Sequence, residues 1–213
     1  MGAITRLNTG WLFHLNDAEG ADFMGYDDRA WLPVTLPHDW AVAFPFDRAH
    51  SSGTGYLPGG TAWYRRHFAL PEDPAAQRVR LRFLGVYKHA RVWINSNYLG
   101  QHAYGYTSFS YDITPFVRQG ENVIAVRVEH EQTADSRWYT GSGIDREVEL
   151  EISSPICFRE HGVFVRTGEA SGESASLDIS WETEGADSVC FRLAAPDGEI
   201  AGRLTAEGAC GQG

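Results

Sequence analysis

Hydrophobic and polar positions alternate with a period of two along most of the chain, and that period predicts strands. In "RVRLRFLGV", Val79, Leu81 and Phe83 alternate with Arg78, Arg80 and Arg82, the pattern of a strand with one buried face. "AWYRRHFAL" alternates through Tyr64, Arg66 and Phe68, and "NVIAVRVEHE" sets Ile124, Val126 and Val128 on one face. "REVELEI" places Val148, Leu150 and Ile152 inward and Glu147, Glu149 and Glu151 outward. "ARVWI" and "YLGQH" flank Asn95–Asn97, where Asn tolerates positive φ, so a hairpin is predicted. Helical periodicity is nearly absent. "DITPFVRQG" offers a single turn, with Asp112 or Thr114 as cap, Pro115 at its start and Gly120 at its end.

Many short strands joined by Gly, Pro and Asn turns predict an all-β protein. The stretch from Trp11 to Ser154 holds enough strands for a jelly-roll β-sandwich. "SSPI" at Ser153–Ile156 then forms an extended joint. Three further alternating segments follow it, with a "PDG" turn at Pro196–Gly198. Two domains are therefore predicted, residues 1–154 and 155–213. The second has too few residues for a complete immunoglobulin-like sandwich of roughly 100 residues, so it is expected to be partial.

Composition changes this picture only at the edges. The 213 residues carry a net charge of −10, which argues against nucleic acid and anionic membrane surfaces as partners. No apolar run approaches membrane-spanning length, and the N-terminus lacks a basic segment followed by an apolar one. The three cysteines, Cys157, Cys190 and Cys210, are odd in number and lack immunoglobulin spacing. They are expected to be free, mostly buried thiols, which favours the cytoplasm. The histidines show no ligand spacing, so neither metal nor cofactor is expected.

Four stretches, in order, carry a resemblance: "VTLPHDWAV" (34–42), "GTGYLPGGTAWYRRHFALP" (53–71), "GVYKHARVWINSNYLGQHAYGYTSFSYDIT" (85–114) and "SRWYTGSGIDREVEL" (136–150). Together they resemble the N-terminal region of glycoside hydrolase family 2 enzymes, the β-galactosidase and β-glucuronidase group. "HGVFVRT" resembles the start of the domain that follows. The resemblance implies a galactose-binding-like jelly roll, then an immunoglobulin-like domain, then a catalytic (β/α)8 barrel in the same polypeptide. The chain departs from the pattern at Asn95–Asn97, where Asn-Gly is common, and at Asp145, where an aromatic usually precedes the arginine. A carboxylate at 145 stands beside Arg146 and can pair with it.

The chemistry of the family is not carried here. Retaining hydrolysis needs two carboxyl groups about 5 Å apart, one acid/base and one nucleophile. The acid/base glutamate of the family follows an Asn, and no Asn-Glu pair occurs in the chain. No catalytic residue is assigned, and truncation before the barrel is expected. The implied role is to buttress the barrel and shape the sugar site for a β-glycoside, the parent enzyme being most like a β-galactosidase. A free-standing carbohydrate-binding module and a structural adhesion module stay open as alternatives, as does homo-oligomerisation.

Candidate substrate contacts lie on three segments. Arg137 offers a planar donor fork and Trp138 a flat apolar face, a combination that suits sugars, against an interdomain seal as the bland alternative. Asp135 is added because the family places an acid in this loop. In "PHDW", adjacent side chains of an extended segment point apart, so His38 and Asp39 are not a dyad. Trp40 is expected to fill the core and Asp39 to hold loop amides, with a place near sugar kept for both His38 and Asp39. "GTGYLPGGTAWY" reads as a wide connection between strands, and the resemblance implies that this region reaches the active-site rim, which makes Tyr56 and Gly59 candidates there. Tyr104, Tyr106, Phe109 and Tyr111 are assigned to core and edge packing.

Overall fold

The computed structural model describes residues 2–130, 136 and 138–212. The chain divides into two compact units, Met1–Ile152 and Ser153–Gly213.

Ten strands build the first unit: β1 (Ala3–Arg6), β2 (Trp11–Leu15), β3 (Leu32–Val34), β4 (Gly60–Leu70), β5 (Arg78–Phe83), β6 (Ala90–Ile94), β7 (Asn97–His102), β8 (Phe109–Asp112), β9 (Gly120–His130) and β10 (Val148–Ser153). They form a six-stranded sheet in the order β3-β2-β4-β9-β6-β7 and a four-stranded sheet in the order β1-β10-β5-β8. The two sheets face each other as a jelly-roll sandwich. Alternation fills the space between them. Val79, Leu81 and Phe83 of β5 and Val148 and Leu150 of β10 meet Trp11, Tyr64, Val92, Ile124, Val126 and Val128 of the larger sheet in one core. The β6–β7 hairpin closes on Asn95 and Ser96, both at positive φ (48° and 71°), the backbone that matches strand twist. The Asn95 side chain donates to Phe116 O and Asn122 Oδ1, both at 2.8 Å, and accepts from Val123 N–H at 2.8 Å.

Alternation misleads at β4. This strand lies in the middle of the larger sheet and is covered on both faces, so Trp63, Tyr64 and Arg65 are all buried. The segment from Ala18 to Trp31 lies over the outer face, where Ala18, Ala21, Trp31, Trp63 and Ala125 form a second apolar cluster. Arg65, 0% exposed, rises into this layer. It donates to the Ala21, Phe23 and Met24 carbonyls and, through Nε, to Asp28 Oδ2 at 2.7 Å. His67 Nε2 reaches the same Asp28 oxygen at 2.9 Å, and its Nδ1 reaches Glu121 at 2.8 Å.

Glu147, Glu149 and Glu151 project from the core as the alternation requires, yet none is simply solvated. Each is half-buried and paired with an arginine: Arg6 to Glu147 at 3.4 Å, Arg82 to Glu149 at 3.9 Å and Arg80 to Glu151 at 3.2 Å. Arg80 and Arg82 of β5 thus answer Glu151 and Glu149 of β10, a cross-strand charge ladder, while Arg6 of β1 answers Glu147 just before β10.

The second unit contains β11 (Cys157–Ala170), β12 (Ala175–Glu184), β13 (Ser188–Ala194), β14 (Ile200–Glu207) and β15 (Cys210–Gln212). β11-β12-β15 make one antiparallel sheet and β13-β14 another. These five strands, among the described residues, are fewer than the seven of a complete immunoglobulin-type sandwich. Trp181 is buried, with the Phe191 ring 5.7 Å away. The thiols here are free, but they are not mostly buried: Cys157 is half-buried, and Cys190 and Cys210 are exposed. The period of two explains Cys190, because Val189 beside it takes the inward position on β13.

Candidate functional site

Residues 142–144 thread between two other stretches of backbone. On one side His38 N–H donates to Ile144 O at 2.8 Å and Trp40 N–H to Ser142 O at 3.0 Å. On the other, Tyr87 and Gly143 exchange both backbone hydrogen bonds at 2.9 Å. Residues 142–144 therefore act as a short extra strand, and nothing larger than glycine fits at 143. A Cβ there would fall on the Tyr64 hydroxyl and the His38 carbonyl, and its φ of +130° is one that side-chain-bearing residues rarely adopt. Gly141, at φ +82°, needs glycine for its backbone rather than for space.

Asp39 organises this loop. Its Oδ1 accepts from Ala41 N–H and Ser142 N–H, each at 3.0 Å, and its Oδ2 accepts from the Tyr139 hydroxyl. Burial, reinforced by the hydrogen bond to that carboxylate, pushes the Tyr139 phenol well above its ordinary range, so it stays a donor. His38 turns elsewhere: its Nδ1 shares a 2.8 Å hydrogen bond with the Tyr64 hydroxyl, and burial lowers its pKa and keeps the ring neutral near pH 7. The two side chains have different partners, and Trp40 is buried in the core.

Asp39→Ala leaves the buried Ser142 N–H and the Tyr139 hydroxyl without an acceptor. It is expected to cost about 2 kcal/mol and to speed amide hydrogen exchange from Tyr139 to Ile144. Asp39→Asn should keep part of the protection. Exchange unchanged in Asp39→Ala would show that the loop is held by other contacts.

Asp145 points inward, and burial raises its pKa. Among the described residues its Oδ1 is buried without a hydrogen-bond partner. No ion pair joins it to Arg146, whose Nη1 instead reaches toward the carbonyls of Leu84 at 3.4 Å and Tyr106 at 3.5 Å. The departure from an aromatic at this position thus places an uncommitted carboxyl oxygen beneath the loop.

Beside the loop lies a cleft of about 400 Å³, walled by Tyr87, Lys88, His89, Tyr104, Tyr106 and Trp138. Trp138 is 61% exposed, yet its Nε1–H is fixed on the Tyr106 hydroxyl at 2.9 Å, and Ser136 Oγ donates to its carbonyl at 2.6 Å. Tyr106 packs edge-on against Tyr87 at 5.5 Å and Tyr104 at 5.7 Å. Tyr104 and Tyr106 are therefore cleft walls, which corrects their assignment to core and edge packing. Phe109 and Tyr111, three and five positions beyond Tyr106, do pack against the core. The intervening Gly105 lets the chain lie flat on Tyr87, whose ring a Cβ would strike.

Of the residues singled out from sequence, Trp138 and Asp39 meet at this loop and His38 lies below it. Asp135 and Arg137 lie outside the described residues. Tyr56, at φ 61° and exposed, follows Gly55, which faces the Tyr139 ring, so this turn backs the loop. Gly59 lies at the entry to β4. Sequence reasoning missed Tyr139, Ser142 and the cleft walls Tyr87, Tyr104 and Tyr106. The run "AYGYT" was the available signal, since glycine between two tyrosines marks a close approach of backbone rather than a packed strand. Among the described residues no group of three or more His, Cys, Asp or Glu side chains is gathered to hold a metal, and no helix is long and apolar enough to cross a membrane.

Comparison with known proteins places this geometry. Residues 42–155 match the family model described as glycosyl hydrolases family 2, sugar binding domain. A β-galactosidase of Bacteroides ovatus is 42% identical over 176 residues, which cover 81% of this chain and 21% of that enzyme. A putative β-glucuronidase of Formosa agariphila is 34% identical over 184 residues, covering 85% of this chain and 18% of its own. The crystal structure of a β-glycosidase from Bacteroides vulgatus superposes with a TM-score of 0.88 at 36% identity, over 99% of this chain and 29% of that one. The chain thus spans about a fifth of the length of the curated relatives it matches. On the strength of the family match and of a fold shared over nearly its whole length, the chain belongs to glycoside hydrolase family 2 and carries that family's sugar-binding domain.

Proposed function

We propose that the chain is the non-catalytic N-terminal portion of a retaining β-glycosidase, most like a β-galactosidase. It buttresses a catalytic barrel in the same polypeptide and shapes the mouth of the sugar site. The observation that supports this best is the exposed indole of Trp138. A large apolar ring left in solvent but fixed by a hydrogen bond is pre-organised to stack on something outside its own domain, and a pyranose presents a matching C–H face. Asp39 and Tyr139 set the height of that loop, and Asp145 adds an acceptor beneath it. Arg137 and Asp135 are assigned to the same rim from sequence. The exposed thiols of Cys190 and Cys210 fit a reducing compartment, which supports the cytoplasm as the place of work.

The test uses the full-length polypeptide. Trp138→Ala should lower kcat/KM for an aryl β-galactoside by about tenfold while thermal stability stays within about 2 °C of the parent. An unchanged kcat/KM would overturn the role in shaping the site. A large loss of stability with unchanged kcat/KM would assign Trp138 to domain docking instead.

A further inference from the structure

The outer face of the six-stranded sheet carries a second cleft, of about 530 Å³, that shares no lining residue with the one beside Trp138. Register builds it. Trp63 on β4 stands opposite Arg127 on β9, Arg127 opposite Arg91 on β6, and Trp93 on β6 opposite Ala125 on β9. Ala125 contributes only a methyl group, and the indoles of Trp63 and Trp93 stack beside it, 5.3 Å between centroids and 27° between planes. Tyr98 on β7, half exposed, flanks Trp93 at 5.4 Å.

One side of the cleft is fastened. Asp17 accepts from Trp63 Nε1–H at 2.7 Å and from Arg127 Nε and Nη2, both at 3.0 Å. Arg127 also pairs with Glu129. Asp17 and Arg127 are thereby committed to each other and to holding the indole wall. The other side is uncommitted. Arg91, Glu19 and Asp22 also line the cleft, and among the described residues none of the three makes a side-chain hydrogen bond or ion pair.

A rigid aromatic wall, one unclaimed planar donor group and two unclaimed carboxylates match the surface of a pyranose ring, with its C–H face and its acceptor and donor hydroxyls. Three carboxylates against two guanidinium groups leave the lining at −1, which favours a neutral sugar over a uronic acid. We propose that this cleft is a second saccharide site, for a neutral pyranose, on the outer sheet face. It stands whether or not the loop at Trp138 touches sugar.

The experiment is a titration of the chain with methyl β-D-galactopyranoside, followed by the indole N–H resonances in two-dimensional NMR. Saturable shifts at Trp63 and Trp93 are expected, with a Kd in the millimolar range usual for a single sugar ring on an open surface, roughly 1–10 mM. Arg91→Ala, which removes an exposed side chain with no partner among the described residues, should weaken binding about tenfold with the remaining spectrum unchanged. Trp138→Phe should leave the affinity alone, and methyl β-D-glucuronide should bind several-fold more weakly. No saturable shift, shifts confined to Trp138, or full affinity in Arg91→Ala would each overturn the site. A loss of the Trp138 function described above would leave it untouched.

Discussion

Asp28→Asn is expected to lower the stability of the first unit by about 3 kcal/mol, a fall of roughly 10 °C in its unfolding midpoint. Asp28 is 6% exposed and is the only carboxylate paired with Arg65 among the described residues. Removing its charge strands a guanidinium in an apolar layer. A buried ion pair can often be exchanged for hydrocarbon without loss, but not here. Arg65 also serves the carbonyls of Ala21, Phe23 and Met24, so Arg65→Met with Asp28→Leu should stay destabilised because three acceptors lose their donor. Thermal unfolding followed by circular dichroism checks both, and a shift under about 2 °C in Asp28→Asn would refute the account.

The same cluster sets a pH window. Burial raises the Asp28 pKa, but the hydrogen bonds from Arg65 and His67 outweigh it and hold the carboxyl below its ordinary 3.8. Its contribution is therefore present above about pH 4 and fades as pH falls through the lowered value. For His67, burial lowers the pKa, but the hydrogen bonds to Asp28 and Glu121 outweigh it and raise it above 6.5. Its contribution is complete below about pH 6.5 and is lost as pH rises through the raised value. The trio therefore contributes most between about pH 4 and 6.5. In His67→Gln the decline of stability on the alkaline side of that window should flatten.

Gly143→Ala is the second large effect, about 3 kcal/mol or more. Two costs combine, a φ of +130° that alanine resists and a Cβ driven onto the Tyr64 hydroxyl and the His38 carbonyl. Gly141→Ala provides the comparison. It has a positive φ too, but a Cβ there meets only ordinary contacts, so about 1 kcal/mol is expected. Urea unfolding of the pair separates strain from crowding; equal midpoints would mean that crowding at Gly143 is relieved by a shift of the backbone. In the full-length polypeptide Gly143→Ala should also disturb the loop that carries Trp138, because residues 142–144 are its anchored end.

The parts of the fold that sequence exposes are those governed by local period and local turn chemistry. Val79, Leu81 and Phe83 alternate on one strand, and Asn95 tolerates the backbone of a tight turn, so β5 and the β6–β7 hairpin could be read directly. Trp40 as core and Asp39 as holder of loop amides followed from the opposed directions of adjacent residues. Arg65 could not be read this way. "WYRRHF" looks half-exposed because the cover from Ala18 to Trp31 has no period of its own, and only the fold lays it over Arg65. The pairing of Asp39 with Tyr139 spans a hundred residues of chain and leaves no trace in spacing. Tyr104 and Tyr106 are illegible for a similar reason, since an aromatic beside a strand looks the same in sequence whether it packs inward or walls a cleft. Residue type alone puts the thiols inside, whereas strand phase puts Cys190 outside.

The β4–β9 ladder runs through eleven consecutive residue pairs, from Gly60 with His130 to Leu70 with Gly120. Along β4, Tyr64 belongs to one packed layer and Arg65 to the other, so inserting or deleting one residue there would exchange the two and ruin both layers at once. Changes of chain length are thereby driven out of the middle of the sandwich and toward its connections, chiefly residues 43–59 and 103–108. Those same stretches border the loop at Tyr139 and the cleft at Trp138. A scaffold that forbids length variation at its centre and permits it beside the cleft can diversify its rim while its register stays fixed.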